Sequence, residues 1–225
     1  MYNKTPRVLV CVVRAGPKNY AFKFYPRFAS FLFYKNRETL LVDENNCKKL
    51  RGQNVGEIIA ATGRQFGIEY ARKHDFDYIY FMDLDFEPHE GTLTRLVDTG
   101  HPLVGSLVAA RGDENLIIGH NYSNREKLTR EPLYWPDLKE GQEVGGIGGC
   151  SLLVHKSIFS KVDYEYYVGP ETIPGRFTAD DEYLQIQIYN KLKIKPRIIL
   201  NPSGWHYSDD GYKYKIPGKK ERYEY

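Results

Sequence analysis

Two runs of the chain limit its fold more than any other feature: residues 7–13 (RVLVCVV) and 77–82 (DYIYFM). Each is almost unbroken in apolar side chains, with no polar alternation. A strand apolar at nearly every position must be covered on both faces, which is the situation of a parallel sheet lying between helices. Shorter runs repeat the theme at 39–42 (TLLV), 103–110, 150–154 and 196–200. Between them the apolar period changes. Val55, Ile58, Ile59, Thr62, Phe66, Tyr70 and Ala71 recur at three- and four-residue steps and predict a helix over 54–73. A second helix is predicted over 178–192, with Thr178 as cap, acidic residues at 180–182 in its first turn, and Leu184, Ile186, Ile188 and Leu192 as its apolar positions. Further helices are expected at 20–34, interrupted by Pro26, at 88–97, where a proline suits the first turn, and at 156–162. Residues 111–144 are polar, with prolines and aromatics scattered through them, and resist assignment. Strands alternating with helices imply an α/β architecture with helices on both faces of the sheet.

Composition narrows the class. The 225 residues are 41% apolar, enough to build a core and too many for a disordered chain. A net charge of +3 and a pI near 8.5 give no case for a nucleic-acid partner. Much of the positive charge falls late, in Lys213, Lys215, Lys219, Lys220 and Arg222, and reads as a basic tail over 208–225. Solvent is the default surrounding for such a tail, with phosphate or peripheral contact with an anionic membrane as the other options. Cys11, Cys47 and Cys150 are far apart and lack metal-ligand spacing; Cys11 and Cys150 sit in apolar runs as small core residues. A reducing compartment fits, and no apolar stretch resembles a signal peptide or a membrane span, so a soluble cytoplasmic protein is expected. The 19 tyrosines offer apolar rings with polar tips, a composition suited to grooves for polar ligands.

Chemistry concentrates after the second apolar run, where the chain continues as Asp83-Leu84-Asp85. A strand repeats every two residues, so the two carboxylates project to one side, at the sheet edge where α/β proteins bind ligands. Paired carboxylates repel each other, and a hard divalent cation, Mn²⁺ or Mg²⁺, relieves that repulsion. A plain acidic turn would use the same residues. Downstream, Gly145-Gly146-Ile147-Gly148-Gly149 permits close backbone approach, to a ligand or simply within a tight turn. Tyr134 and Trp135, in the unassigned middle, suit core packing better than the stacking of a sugar face.

The stretch ATGRQFGIEYARKHDFDYIYFMDLDFEP resembles the GT-A glycosyltransferases, in particular their family-2-like group. Those enzymes carry an Ala-Arg-Asn-x-Gly helix followed by a strand ending in Asp-x-Asp. Arg64 and Gly67 match this pattern, and Gln65 stands where asparagine is usual. GGIGGCSLLVHKSIF is similar to the family's glycine-rich turn and following strand, and Ala179-Asp180-Asp181-Glu182 resembles the acidic pair that opens its acceptor-side helix, with Asp180 in place of the usual glutamate. The likeness spans about residues 7–207.

The resemblance implies a single GT-A domain, the fold of nucleotide-diphospho-sugar transferases, with a mostly parallel central sheet flanked by helices. Its donor-binding half would run over about 1–110 and its acceptor-side half over about 111–207. It implies transfer of a sugar, a hexose by preference, from a nucleoside-diphosphate sugar to a hydroxyl of a glycan, lipid or protein. Asp83 and Asp85 would hold the metal with His206 as third ligand. Arg14, Asp43, Arg64, Asp83 and Gly148 would contact the donor. Asp181 would be the general base, with Asp180 and Glu182 as alternatives. Two rival readings stay open: a sugar nucleotidyltransferase, for which RAGPKN after the first strand is a poor echo of the expected loop, and a non-catalytic carbohydrate-binding protein of the same fold.

Overall fold

The computed structural model describes residues 5–13, 32–43, 45–50, 56–124, 129–164, 180–200, 203–208 and 211–223. Most of the helix expected at 20–34, the cap Thr178 and the donor candidate Arg14 lie outside these. In chain order the strands are β1 (Val8–Val13), β2 (Arg37–Val42), β3 (Tyr78–Asp83), β4 (Phe86–Glu87), β5 (Leu103–Ser106), β6 (Ala109–Ala110), β7 (Asp113–Asn124), β8 (Thr129–Tyr134), β9 (Gly146–Ile147), β10 (Ser151–His155), β11 (Arg197–Ile199), β12 (Trp205–Tyr207), β13 (Tyr212–Lys215) and β14 (Lys219–Arg222). The helices are α1 (Gly56–Lys73), α2 (Thr92–Asp98), α3 (Lys156–Phe159) and α4 (Asp180–Leu192).

The central sheet runs β11-β5-β10-β3-β1-β2. β1 pairs in parallel with β2 on one side and β3 on the other, and β11 is parallel to β5. β10 alone runs against its neighbours, antiparallel to β3 and β5. The sheet is therefore mixed and mostly parallel. All six residues of β1 are buried because they feed two cores. Val8, Val10 and Val12 face one layer with Leu93, Leu96 and Tyr207, while Leu9, Cys11 and Val13 face the other with Ile68, Leu184 and Ile188. The two-residue period of the strand thus divides one apolar run between both faces.

Helix α1 lies unusually close to β1. A Cβ on Gly63 would come within 2.4 Å of Val13 Cγ1, and one on Gly67 within 2.5 Å of Cys11 Sγ, so the Gly63–Gly67 pair is what admits the strand side chains against the helix. Contact at that distance holds Arg64, one residue on from Gly63, in a fixed position beside the strand ends.

Two smaller sheets complete the described part. One runs β14-β13-β12-β4; the other joins β6, β7 and β8, with β9 pairing to β7. They change several expectations. Residues 88–91 do not begin a helix: Phe86 and Glu87 pair with His206 and Trp205, and α2 starts only at Thr92. The strand expected over 103–110 breaks into β5 and β6. The unassigned middle forms the long β7–β8 hairpin. The basic segment is no loose tail over 211–223, since it forms the β13–β14 hairpin. There Lys213 lies 4.4 Å from the Trp205 ring centroid and Lys220 lies 4.2 Å from that of Tyr212. All three cysteines are buried and unpaired. Among the described residues, no helix is long and apolar enough to cross a membrane.

Candidate functional site at the end of strand β3

Asp83 is the last residue of β3, and its carboxylate is held from behind. Arg64, a buried residue of α1, donates from Nη2 to Asp83 Oδ1 at 2.7 Å and from Nη1 to the Tyr164 hydroxyl at 3.1 Å. The planar guanidinium thus fixes the aspartate and a buried tyrosine together, which a lysine point charge could not do with the same geometry. Gly149 makes room for it: a Cβ there would fall 2.6 Å from Arg64 Nη1 and 2.7 Å from Cζ.

The same glycine links this corner to α4. The Gly149 N–H donates to Asp181 Oδ2 at 2.6 Å, and the Glu182 N–H donates to Asp181 Oδ1 at 2.7 Å. Asp181 therefore stands in the first turn of α4, where the helix field favours negative charge, with its carboxylate fixed on the turn that precedes β10. Gln185 secures that turn from one helical turn further along α4. Its side-chain oxygen accepts from the Ile147 N–H at 2.9 Å and its amide donates to the Ile147 carbonyl at 2.6 Å. Asp180 is the first residue of α4, and its side chain is outside the described part. Glu182 is turned inward: it accepts from Tyr122 Oη at 3.0 Å and from Arg130, and lies 3.5 Å from His120 Nε2. It serves to tie α4 to the β7–β8 hairpin.

Asp85 lies two residues beyond Asp83, in the turn before β4. The β4–β12 pairing and the bond from the Tyr207 N–H to the Asp85 carbonyl, at 2.8 Å, bring His206 to it. His206 Nε2 is 3.8 Å from Asp85 Oδ2. Its Nδ1 is 2.8 Å from the Ala109 carbonyl oxygen, which can only accept, so Nδ1 carries the proton and Nε2 presents a lone pair toward Asp85. Burial, with Arg111 adding to it, pushes the imidazole down to about 4, so His206 is neutral near pH 7. A neutral imidazole with its far nitrogen anchored to a carbonyl is the form that ligates metals. Arg111, from the β6–β7 turn, donates to the same Asp85 Oδ2 and, from Nε, to the Tyr207 carbonyl at 3.2 Å.

The structure thus brings Asp85 and His206 together and sets Asp83 on Arg64. Among the described residues, no three His, Cys, Asp or Glu side chains are gathered closely enough to hold a metal ion on their own. The donor chemistry still fits a manganese or magnesium ion, which characteristically takes one or two carboxylates and completes its shell with water and substrate phosphates. Imidazole at His206 favours Mn²⁺ over Mg²⁺. Cys150, within the field of Asp83 and Asp181, is not a nucleophile: burial first, then those two carboxylates, raise its thiol well above the ordinary range.

Two donor candidates have internal roles. Asp43 ends the β2 segment and caps a turn, its Oδ1 accepting from the Asn45 N–H at 2.8 Å and its Oδ2 from Asn45 Nδ2 at 3.0 Å. The Gly148 N–H donates to the Ile118 carbonyl at 2.8 Å, and a Cβ there would strike Ile118 Cγ2 at 2.3 Å. Its lack of a side chain serves packing against β7. Beside the Asp43 turn, a cavity of about 400 Å³ opens between Asn46, Cys47 and the α1 residues Thr62, Gln65 and Phe66, with Tyr164 closing it toward Arg64. Arg111 and Tyr164 were not legible as site residues. Arg111 falls after a two-residue strand without sequence signature, and Tyr164 reaches Arg64 from a hundred residues away.

No protein-family model matches the sequence, and no curated protein matches it. Solved structures do. A197 from STIV is similar over 97% of this chain and 94% of its own, with a TM-score of 0.62 and 14% identity. At that identity the likeness is one of fold, and it extends over essentially both chains. A mycobacterial protein aligns with a TM-score of 0.49 and 13% identity, over 90% of this chain and 68% of its own. CMP:2-keto-3-deoxy-manno-octonic acid synthetase complexed with CTP aligns at 0.40 and 9%, over 88% and 90%. These two scores are too low to bear on the function of this chain.

Proposed function

We propose that this chain is a metal-dependent glycosyltransferase of the GT-A type, moving a sugar, a hexose by preference, from a nucleoside-diphosphate sugar to an acceptor hydroxyl. The observation that carries the reading is the orientation of His206. Its Nδ1–H is spent on the Ala109 carbonyl and its neutral Nε2 faces Asp85, two residues past the end of a central strand that itself ends in a carboxylate.

Each residue has a distinct task. Asp85 and His206 would hold Mn²⁺ or Mg²⁺, with Asp83 alongside. When bound, the ion would offset the negative charge that builds on a departing nucleoside diphosphate. Arg64 orients Asp83 and keeps its carboxylate at the strand end. Asp181, fixed by the Gly149 N–H, is the candidate base for the acceptor hydroxyl proton, its place at a helix N-terminus keeping the group oriented toward the turn before β10. Asp180 stays a fallback for that role. The cavity beside the Asp43 turn has the volume for a nucleoside, at the low end of ligand pockets.

The test is a donor panel. Purified protein with Mn²⁺ is given nucleotide sugars of different base and sugar, and release of nucleoside diphosphate is followed. Metal-dependent release with at least one donor supports the proposal. No release with any donor, together with pyrophosphate release from a nucleoside triphosphate and a sugar phosphate, would replace it with nucleotidyl transfer.

A further inference from the structure

Arg111 holds the one Asp85 oxygen that faces His206. Its Nη2 donates to Asp85 Oδ2, and it is that same Oδ2 that lies 3.8 Å from His206 Nε2. The three partners differ sharply in freedom. The side chains of Asp85 and His206 are 14% and 6% exposed, whereas that of Arg111 is 46% exposed. Arg111 also enters from a turn, next to Gly112 at φ +89°, and among the described residues its other side-chain hydrogen bond runs from Nε to the Tyr207 carbonyl. Two fixed, inward ligands therefore share their facing oxygen with one outward, movable cation.

Electrostatics gives that cation a purpose. Asp85 is largely removed from water, and a carboxylate so placed is costly without a counter-charge. Arg111 brings a guanidinium into contact with it. A divalent ion at the same carboxylate oxygen carries twice the charge of the carboxylate, so at a few ångströms it repels the guanidinium more than the carboxylate attracts it, and the guanidinium is the partner that leaves. We propose that Arg111 is an internal counter-cation for Asp85, which neutralises the carboxylate in the metal-free protein and is displaced from it when a divalent cation binds between Asp85 and His206. This rests on the metal-dependent reading of the site. It assigns the chain a built-in competitor that weakens metal binding.

The experiment uses the whole chain with Mn²⁺ alone, without donor. Free Mn²⁺ is titrated by electron paramagnetic resonance in the wild type, Arg111→Ala and Arg111→Gln, the glutamine variant serving if the alanine variant does not fold. The expected result is about two- to fivefold tighter Mn²⁺ binding in the variants, the scale set by loss of one partly exposed ion pair. In parallel, the arginine Nε–H resonances of the wild type are followed by NMR during titration with diamagnetic Mg²⁺, with Arg111 assigned by Arg111→Lys. The Arg111 signal should shift and exchange faster with solvent as Mg²⁺ saturates. Equal or weaker Mn²⁺ binding in both variants, absence of Mn²⁺ binding from all three proteins, or an Arg111 resonance unmoved by Mg²⁺ overturns the proposal. These readouts do not depend on turnover. Failure of the donor panel with displacement intact would remove the glycosyltransferase reading alone, and turnover without displacement would remove this inference alone.

Discussion

If His206 is held neutral by burial, acid should unfold the protein through it, and the size of the effect follows from its environment. Its value in the folded chain is about 4, against the ordinary 6.5, a depression caused first by burial and then by Arg111. Between those values the unfolded chain takes up a proton that the folded chain refuses, so folding stability rises with pH across that window and is lost as pH falls from about 6.5 toward 4. At roughly 1.4 kcal/mol per unit, the loss reaches about 3 kcal/mol at pH 4 and only a few tenths at pH 6.5. His101 and His155 are also lowered by burial and act in the same direction, so the wild type alone cannot isolate the effect. The informative quantity is the difference between the wild type and His206→Gln, whose amide can keep a bond to the Ala109 carbonyl without titrating. Urea unfolding in the presence of a chelator, from pH 4 to 8, should give a stability difference that changes by about 3 kcal/mol across the range, with the wild type losing more in acid. Parallel curves would show that His206 is hydrated or already charged, and would refute the assignment of a neutral, inward Nε2.

Three further outcomes follow from the packing around the site. Gly149→Ala should push the guanidinium of Arg64 off Asp83, costing about 1–3 kcal/mol by thermal unfolding; an unchanged Tm would mean that the turn before β10 can yield. Glu182→Ala should cost about 2 kcal/mol, because it leaves Arg130 and Tyr122 without their buried acceptor, and should loosen the β7–β8 hairpin in hydrogen exchange. Arg64→Lys should keep the charge yet lose the fork that joins Asp83 to Tyr164. We expect metal-dependent turnover to fall by about tenfold or more with a Tm lowered by only a few degrees.

The parts of the fold legible in the sequence are those where one strand serves two cores. Residues 7–13 and 77–82 could only be doubly covered strands, α1 announced itself by period, and α4 by its acidic first turn and apolar content. The direction of β10 was not legible, because a doubly buried apolar run reads the same both ways. Nor was the second sheet. β4 and β12 are two and three residues long, and their pairing overrode the helix-starting signal of Pro88. That short pairing is what sets His206 beside Asp85. Of the candidate site, the clustering of acids after β3 and at α4 was visible from spacing. Arg64 was legible only through the family resemblance, and Arg111, which holds Asp85, depends on contacts across the chain that no local pattern encodes. Asp43 and Gly148 show the converse: both suited a ligand by sequence, and both make their described hydrogen bonds within the protein.

The most direct test of the account is Mn²⁺-dependent release of nucleoside diphosphate by the wild type and by Asp85→Ala, each shown folded by circular dichroism, with whichever donor the panel selects. A carboxylate that anchors the ion predicts turnover in the wild type that a chelator abolishes, and none above background in the variant. Equal release by the two folded proteins would contradict the central assignment.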